Sequence, residues 1–407
     1  MDPCIIIGAS HAGAQLALSM RQEGWDAPII VIGEEAELPY HRPPLSKELL
    51  SGKKALEQIY LRPAALYQKQ NIEFKLSTRV SAIDREQQQI ALADGQVLKY
   101  AKLALCTGSR VRQLSIPGFD VEKQLAGVHY LRTYRDVDRI KAGAADARSV
   151  VIIGGGYIGL ETAAVLNQLG LEVTVLEMSA RVLERVTAPV LSDFFHRIHS
   201  QHGVNIECQK QVLELVGEKT VTSVVCQDGS NYNADMVIIG IGILPNTELA
   251  ADAGLECDNG ILVNQFAQTS DPNIVAAGDC TSHPNKYIEK NIRLESVPNA
   301  SEQAKSAAAS LCGKQKAYHA LPWFWSDQYD IKLQIAGLNT GYTETVVRGD
   351  PTSNSFVVWY FNQERLVAAD CVNSPMEFML AKQFIQNGIA VDKAALVDTE
   401  INLKTLL

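Results

Sequence analysis

The stretch that decides the fold is VVIIGGGYIGLETAAVLNQLGLEVTVLE, residues 150–177. A β-branched apolar run leads into a turn with Gly154, Gly156 and Gly159, and a helical pattern continues to a second apolar run that ends in Glu177. Glycine lets the backbone approach a ligand closely, and the unpaired N–H groups at a helix start favour negative charge. Strand, turn, helix and strand in this order predict a βαβ unit that holds the pyrophosphate of a dinucleotide.

The same order of elements occurs at residues 4–34, CIIIGASHAGAQLALSMRQEGWDAPIIVIGE. The turn carries Gly8, Ser10 and Gly13, so that a serine stands where the second glycine belongs, and its hydroxyl can donate to a phosphate. A carboxylate, Glu34, ends this unit as well. The repeat predicts two dinucleotide-binding units in one chain, each with an acidic residue that accepts a hydrogen bond from a ribose hydroxyl.

The acidic residue of the later unit bears on the choice of nicotinamide. Glu177 would repel the 2′-phosphate of NADPH, which favours NADH. Arg181 and Arg185 follow closely and would favour the phosphate, unless both are solvated on a loop. We expect NADH in this unit.

Strand-rich segments follow each βαβ unit. The Asp-Gly pairs at 94–95 and 228–229 lie inside alternating patterns and predict hairpin turns. The segment 109–118, which contains a Pro-Gly pair, is interpreted as a linker, and residues 243–245 mark the return to the first unit.

The pattern changes after Pro322. Four short strands are predicted, and a helix follows them between Ser374 and Gly388. The four strand segments are IKLQIAGL (331–338), ETVVRG (344–349), SFVVWYF (355–361) and RLVAADCV (365–372). The chain is therefore predicted to have an α/β fold with two Rossmann-like dinucleotide-binding domains and a C-terminal α+β domain. Their predicted extents are 1–112 with 241–320, 113–240, and 321–407.

The composition excludes several classes of partner. The 407 residues are 46% apolar and 20% charged, which is typical of an ordinary globular protein. The net charge of 37 − 46 = −9 argues against broad binding to nucleic acid or to an anionic membrane surface. No apolar run approaches the roughly 20 residues that span a bilayer. The eight cysteines are scattered without a Cys-x-x-Cys pair, so we expect buried free thiols and no metal site. The amino terminus, MDPCIIIGAS, runs directly into a strand pattern without a basic region or a cleavage site, so we expect a cytoplasmic location.

A third motif, NIVAAGDC at residues 273–280, bears on which unit holds which cofactor. A strand here ends in Ala-Gly-Asp, and an aspartate at the carboxyl end of a strand points into the ligand crevice of an α/β sheet. The alternative is that Asp279 caps a helix beyond it. Two dinucleotide sites on one chain are typical of a flavin that stays bound and a nicotinamide that comes and goes.

Motifs along nearly the whole chain carry a resemblance to a known family. They are YHRPPLSK (40–47), LCTGSR (105–110), VVIIGGGYIGLE (150–161), ARVLERVTAP (180–189), GIGILPNTELA (240–250), TSDPNIVAAGDC (269–280), RLESVPNASEQAK (293–305) and PWFWSDQYD (322–330). On these residues the chain resembles the FAD-dependent pyridine-nucleotide reductases, and among them the NADH-dependent ferredoxin reductases of bacterial oxygenase systems. The resemblance implies a glutathione-reductase-like fold, non-covalent FAD in the first unit, NADH in the second, and a small [2Fe–2S] ferredoxin as transient partner. A monomer or weak homodimer is expected.

The family's cofactor contacts carry over to matching positions of this sequence. For FAD these are Gly8, Ser10, Ala12, Gly13, Glu34, Arg42, Lys47, Val80, Thr107, Gly108, Arg132, Asp279, Val297 and Trp325. For NADH they are Gly154, Gly156, Tyr157, Ile158, Gly159, Glu177 and Gly242. Ser10 and Glu34 depart from close relatives, which often have glycine or another small residue and aspartate there.

Three residues are predicted to act at the reacting atoms. The family has a lysine at the Lys47 position beside flavin N5, and we expect Glu161 to form a largely dry ion pair with it. The alternative is a surface lysine and an acid that the helix dipole favours. Glu295 matches a carboxylate near the nicotinamide pocket.

Two further groups have open interpretations. Trp323 and Trp325 stack near the flavin edge, form the surface through which electrons leave, or belong to an aromatic core. Lys290, Arg293 and Lys305 supply a basic rim for an acidic iron–sulfur protein, or are solvated surface charges.

The residues that are missing also discriminate between functions. Disulfide reductases of this architecture need a cysteine pair early in the first unit, and peroxide-reducing relatives need one cysteine there. This chain has none between Cys4 and Cys106. The resemblance therefore implies a reductase that passes electrons from NADH through FAD to a ferredoxin serving a cytochrome P450 or ring-hydroxylating oxygenase. The alternatives are a rubredoxin reductase and a flavin-bound redox sensor of the apoptosis-inducing-factor type.

Overall fold

The computed structural model describes residues 2–117, 119 and 125–407, and these divide into two compact units. The first unit consists of Met1–His41, Glu57–Arg110 and Leu244–Phe324, and the second of Arg42–Leu56, Val111–Ile243 and Trp325–Leu407. The chain changes unit after His41, after Leu56, within strand β8 (Ser109–Val111), within β17 (Ile243–Pro245) and after Phe324. Gly118 of the predicted linker lies outside the described residues. The predicted three-domain boundaries stay a prediction.

A five-stranded parallel sheet forms the centre of the first unit, in the order β19-β7-β1-β2-β3. Its strands are β1 (Cys4–Ile7), β2 (Ile29–Ile32), β3 (Ile72–Lys75), β7 (Lys102–Leu105) and β19 (Ile274–Ala276). The inner strands are continuous apolar runs because helices cover such a sheet on both faces. Helix α1 (His11–Glu23) and helix α7 (Val297–Leu311) share one core, in which Leu16 and Met20 cluster with Ala304 and Ala308.

Smaller elements complete the first unit. A three-stranded antiparallel sheet has the order β4-β5-β6, and the predicted hairpin turn at Asp94-Gly95 is confirmed between its last two strands. The remaining bounds are β4 (Val80–Asp84), β5 (Gln89–Leu92), β6 (Val97–Lys99), β18 (Ile261–Leu262), β20 (Thr281–Asn285), β21 (Lys290–Ile292), α2 (Ala64–Lys69) and α6 (Glu248–Asp252).

The second unit repeats the parallel arrangement, with the order β12-β11-β10-β16-β9. Its strands are β9 (Val128–Tyr130), β10 (Ser149–Ile153), β11 (Glu172–Leu176), β12 (Asn205–Glu207) and β16 (Met236–Ile239), and its helices are α3 (Tyr134–Asp146), α4 (Tyr157–Gln168) and α5 (Pro189–Gln201). An antiparallel sheet of β13 (Val212–Gly217), β14 (Val221–Cys226) and β15 (Asn231–Asn233) carries the second predicted hairpin, at Asp228-Gly229.

The C-terminal region has a five-stranded sheet, in the order β22-β23-β26-β25-β24. Its bounds are β22 (Trp323–Gln328), β23 (Ile331–Gly337), β24 (Glu344–Gly349), β25 (Phe356–Asn362) and β26 (Arg365–Val372), followed by α8 (Pro375–Asn387) and α9 (Lys393–Val397). The four predicted strands and the helix that ends at Gly388 are confirmed, and β22 and α9 are additional. Two Rossmann-like parallel sheets and a C-terminal α+β region confirm the predicted fold class. None of the described helices is both long and apolar enough to cross a bilayer.

Candidate functional site

The glycine turn of the second unit fits the close approach of a pyrophosphate. A Cβ on Gly154 would lie 2.4 Å from the carbonyl oxygen of Gly240, and a Cβ on Gly159 would lie 2.1 Å from that of Gly154, so both positions exclude a side chain. A Cβ on Gly156 would meet no described atom within 4 Å. Gly156 is also the N-cap of α4, so the open space lies over the positive end of that helix.

Glu177 is fixed beside this turn. One carboxylate oxygen accepts the N–H of Gly155 at 2.7 Å, and the other accepts the N–H of Ser179 at 2.7 Å. Each oxygen keeps a further lone pair, which is what a ribose hydroxyl requires. The backbone therefore holds the predicted ribose-contacting acid at the end of β11.

The two neighbouring arginines differ in their surroundings. The Arg181 guanidinium donates to the carbonyls of Thr187 and Glu184 and to the Ser192 hydroxyl, at 3.0, 3.1 and 2.6 Å. Arg181 is therefore not solvated on a loop, because its guanidinium is hydrogen-bonded to the residues that follow it. Arg185 is exposed.

The first unit has an equally tight turn. Gly8 has a φ of +116°, and a Cβ there would lie 2.0 Å from the Cys106 carbonyl oxygen. Ser10 takes the N-cap position of α1 in place of a glycine. Glu34, beyond the end of β2, is 68% exposed and 3.6 Å from the Arg79 guanidinium. The carboxylate is thus accessible to a ligand.

Asp279 follows the strand β19, as predicted, and contacts the start of strand β8 in the same unit. The Ser109 hydroxyl donates to its carboxylate at 2.9 Å. The element that follows is strand β20, so the alternative that Asp279 caps a helix is wrong. Thr107 exchanges two hydrogen bonds with Asn246, of 2.7 and 2.8 Å, which fix the turn through Gly108.

The predicted flavin positions are divided between the units. Gly8, Ser10, Ala12, Gly13, Glu34, Val80, Thr107, Gly108, Asp279 and Val297 lie in the first unit, and Arg42, Lys47, Arg132 and Trp325 in the second. Within the second unit, the Arg42 guanidinium donates to the carbonyl of Arg132 at 2.7 Å. Tyr157, Ile158 and Gly242, predicted for NADH, lie in the second unit with the glycine turn.

A buried ion pair joins two of the predicted reactive residues. The Lys47 ammonium lies 2.6 Å from one carboxylate oxygen of Glu161, and the two side chains are 12% and 1% exposed. The Ser46 hydroxyl donates to the same oxygen at 2.6 Å, and the Ser326 hydroxyl donates to the other at 2.6 Å. The alternative of a surface lysine and a helix-start acid is therefore wrong. Neither serine was predicted to contact Glu161, because a lone serine carries no periodic or spacing signal.

The remaining predicted residues lie in the first unit, except Trp325, which lies in the second. Glu295 is ion-paired with Arg293, and Lys305 with Glu302. Two of the three basic residues of the predicted rim thus already have carboxylate partners. Trp323 and Trp325 are half-buried. Their roles stay predictions.

Comparisons with known proteins agree with this arrangement. Residues 2–304 match the family described as pyridine nucleotide-disulphide oxidoreductase. The chain belongs to this family. Residues 323–407 also match the reductase C-terminal family. The pyridine nucleotide-disulphide oxidoreductase architecture and its C-terminal extension thus account for almost the whole chain.

Individual relatives are similar along their full length. Putidaredoxin reductase of Pseudomonas putida is 44% identical over 409 aligned residues, which cover 100% of this chain and 97% of that protein. A ferredoxin–NAD(P)(+) reductase of a Sphingomonas species is 43% identical, over 99% of this chain and 97% of its own. The crystal structure of a covalent putidaredoxin reductase–putidaredoxin complex superimposes with a TM-score of 0.96 at 44% identity and covers 100% of this chain and 98% of that one.

Proposed function

We propose that this pyridine nucleotide-disulphide oxidoreductase is an NADH-dependent ferredoxin reductase. It passes electrons from NADH through FAD to a small [2Fe–2S] ferredoxin, which serves a cytochrome P450 or a ring-hydroxylating oxygenase. The observation that carries the proposal is the pair of glycine turns, each with its carboxylate, in a chain that aligns with putidaredoxin reductase from end to end. The ferredoxin is a transient partner, and the protein is a monomer or weak homodimer.

The cofactors are assigned by unit. FAD is bound non-covalently at the turn between Gly8 and Gly13, with Asp279 and Glu34 as carboxylate contacts. NADH is bound at the turn between Gly154 and Gly159, and the Glu177 carboxylate accepts its ribose hydroxyl. The open space over the second turn and the two backbone N–H groups that orient Glu177 support this assignment.

The residues of the chain position charge for the reaction. When bound, NADH would supply a hydride, and FAD would supply the conversion from this two-electron donor to one-electron transfer. The Lys47 ammonium, at the position that the family has beside flavin N5, stabilises the negative charge that arrives there. Glu161 neutralises Lys47 and lowers the cost of keeping an ammonium away from water. Glu295, which matches a carboxylate that the family has near the nicotinamide pocket, contacts the carboxamide of the nicotinamide.

Thiol chemistry has no part in the proposal. All eight cysteines are free, and burial raises the pKa of the thiols of Cys4, Cys106 and Cys371 far above the usual value. A protonated, buried thiol is a poor nucleophile, so electrons leave the flavin directly. Because free thiols persist in a reducing compartment, we assign the protein to the cytoplasm.

Anaerobic titration tests the proposal. The purified protein is expected to be yellow, to be bleached by about one equivalent of NADH, and to reduce cytochrome c only when a [2Fe–2S] ferredoxin is added. Faster transfer through rubredoxin would favour the rubredoxin reductase alternative. A long-lived reduced complex that gives electrons to neither carrier would favour the redox sensor, and a colourless protein that takes up no FAD would overturn the proposal.

A further inference from the structure

A line of buried polar side chains leads away from Glu161 within the second unit. The Ser326 hydroxyl lies 2.6 Å from Glu161, the Gln328 amide nitrogen 3.1 Å from Ser326, and His199 Nε2 2.8 Å from the Gln328 amide oxygen. Ser326 and Gln328 are 1% exposed and His199 is fully buried. Tyr329 closes the line, with its hydroxyl 3.4 Å from His199 Nδ1.

The direction of every bond in this line follows from its carboxylate end. An ionised carboxylate only accepts, so the Ser326 hydroxyl must donate to Glu161. Ser326 then accepts from Gln328, which places the amide NH₂ toward the serine and the amide oxygen toward His199. His199 must therefore carry its proton on Nε2 and accept from Tyr329 at Nδ1.

We propose that Ser326, Gln328 and His199 are positioning residues that hold the Glu161 carboxylate, and through it the Lys47 ammonium, in place for electron transfer. This inference rests on the proposed function. Every donor in the line points toward the carboxylate, so each bond polarises the next and favours the negative charge of Glu161. Lys47 and Ser46 share one oxygen of Glu161, and the line from His199 holds the other.

The same chemistry shows that the line does not conduct protons. A proton passed along the line would have to arrive on the Gln328 amide oxygen and leave from the amide nitrogen. This would convert the amide to an imidic acid. Burial also lowers the pKa of His199 to about 4, so the imidazole is neutral at neutral pH. The line orients Glu161 and leaves proton uptake to other groups.

Stopped-flow reduction of the FAD-bound protein by NADH tests the positioning role. Ser326→Ala is expected to lower the limiting rate of flavin reduction about ten-fold, the scale of one charge-assisted hydrogen bond, and Gln328→Met, which removes neutral hydrogen bonds, about three-fold. The dissociation constant for NADH should change less than about two-fold, since neither residue lies in the nucleotide turn. Ser326→Thr keeps the hydroxyl and should restore the rate. Ser223→Ala, which removes a buried hydroxyl from β14, is the matched control.

Nitrogen NMR of the FAD-bound protein supplies a measurement that does not depend on turnover. The ¹⁵N spectrum should show His199 neutral with its proton on Nε2, and His199→Gln identifies its signals. Gln328→Met removes the oxygen that accepts from His199 Nε2, so the tautomer of His199 with its proton on Nδ1 should appear. A proton on Nδ1 in the unchanged protein would overturn the inference even if the variants do not fold.

The two levels of the proposal fail in different ways. Normal flavin reduction in Ser326→Ala and Gln328→Met, with slow reduction in Lys47→Met, would overturn the positioning role alone. If NADH does not reduce the flavin of the unchanged protein, the proposed function fails, while the NMR result still decides whether the line of hydrogen bonds exists.

Discussion

Glu161 holds Lys47 through a 2.6 Å ion pair from which water is almost fully excluded. A buried charge is expensive, and breaking such a pair from one side costs about 3–5 kcal/mol because the partner is left uncompensated. The pair belongs to a single compact unit, in which the helix that carries Glu161 packs against the turn that carries Lys47. The effect of the pair on stability can therefore be distinguished from its effect on electron transfer by replacing one partner or both.

Lys47→Met is expected to lower both the thermal unfolding midpoint and the limiting rate of flavin reduction, the latter by roughly 10²-fold, as for loss of one preorganised electrostatic contact. The double variant Lys47→Met/Glu161→Gln removes both charges and should recover most of the stability but none of the rate. Differential scanning calorimetry and stopped-flow absorbance measure the two effects. Recovery of the rate in the double variant would contradict a direct role of the ammonium.

Two glycines of the second turn should respond differently to the same substitution. Gly156→Ala adds a Cβ to open space, so the fold should be kept. The Michaelis constant for NADH should rise roughly ten-fold, because the new methyl group occupies the space that the pyrophosphate needs. Gly159→Ala instead forces a Cβ to 2.1 Å from a carbonyl oxygen and should destabilise the protein by about 1–3 kcal/mol or more. Steady-state kinetics and urea unfolding distinguish the two. Normal NADH affinity in Gly156→Ala would show that the dinucleotide does not bind over this turn.

Glu177→Gln is expected to reduce the preference for NADH over NADPH by roughly ten-fold, because the repulsion of the 2′-phosphate is removed. Discrimination should not reverse, since the Arg181 guanidinium is already engaged by its own loop. The ratio of kcat/KM for the two nucleotides measures the effect. Glu172→Gln, at the opposite end of the same strand, is the control. An unchanged ratio in Glu177→Gln would place the ribose elsewhere.

Local patterns allowed the fold and both nucleotide turns to be predicted. Gly8 and Gly154 stand at positive φ where only glycine fits, and apolar runs such as Cys4–Ile7 become inner strands of parallel sheets. The spacing within one βαβ unit is enough to specify these features. The boundaries of the two compact units could not be predicted this way, because the segment Arg42–Leu56 belongs to the second unit although it precedes most of the first.

The surroundings of the ion pair could not be predicted from local patterns. Ser326 lies 165 positions from Glu161 along the chain, and Gln328 lies 129 positions from His199. Such contacts depend on how β22 and α5 pack, and a single buried histidine or serine has no periodicity to reveal it. The pairing of Lys47 with Glu161 was predicted only from the family resemblance, because the two residues are distant in the sequence and meet through tertiary packing.

A second buried acid makes stability depend on pH. Asp370 in β26 accepts hydrogen bonds from Thr187, at 2.6 Å, and from Tyr360, and its other oxygen has no hydrogen-bond partner among the described residues. Burial raises the pKa of Asp370 to about 6. Between pH 4 and 6 the folded state keeps a proton that the unfolded state has released, so this group's contribution to stability falls as the pH rises through that window.

Asp370→Asn removes this dependence, because an amide does not titrate. We expect the free energy of unfolding of the wild type, minus that of the variant, to decrease by about 2 kcal/mol between pH 4 and pH 7. Taking the difference cancels the opposite effect of His199 and His283, whose pKa values burial lowers to about 4 in both proteins. Urea unfolding at several pH values, with equal FAD, measures it. A difference that stays constant or grows with pH would mean that Asp370 is ionised throughout, with Thr187 and Tyr360 fully compensating the buried charge.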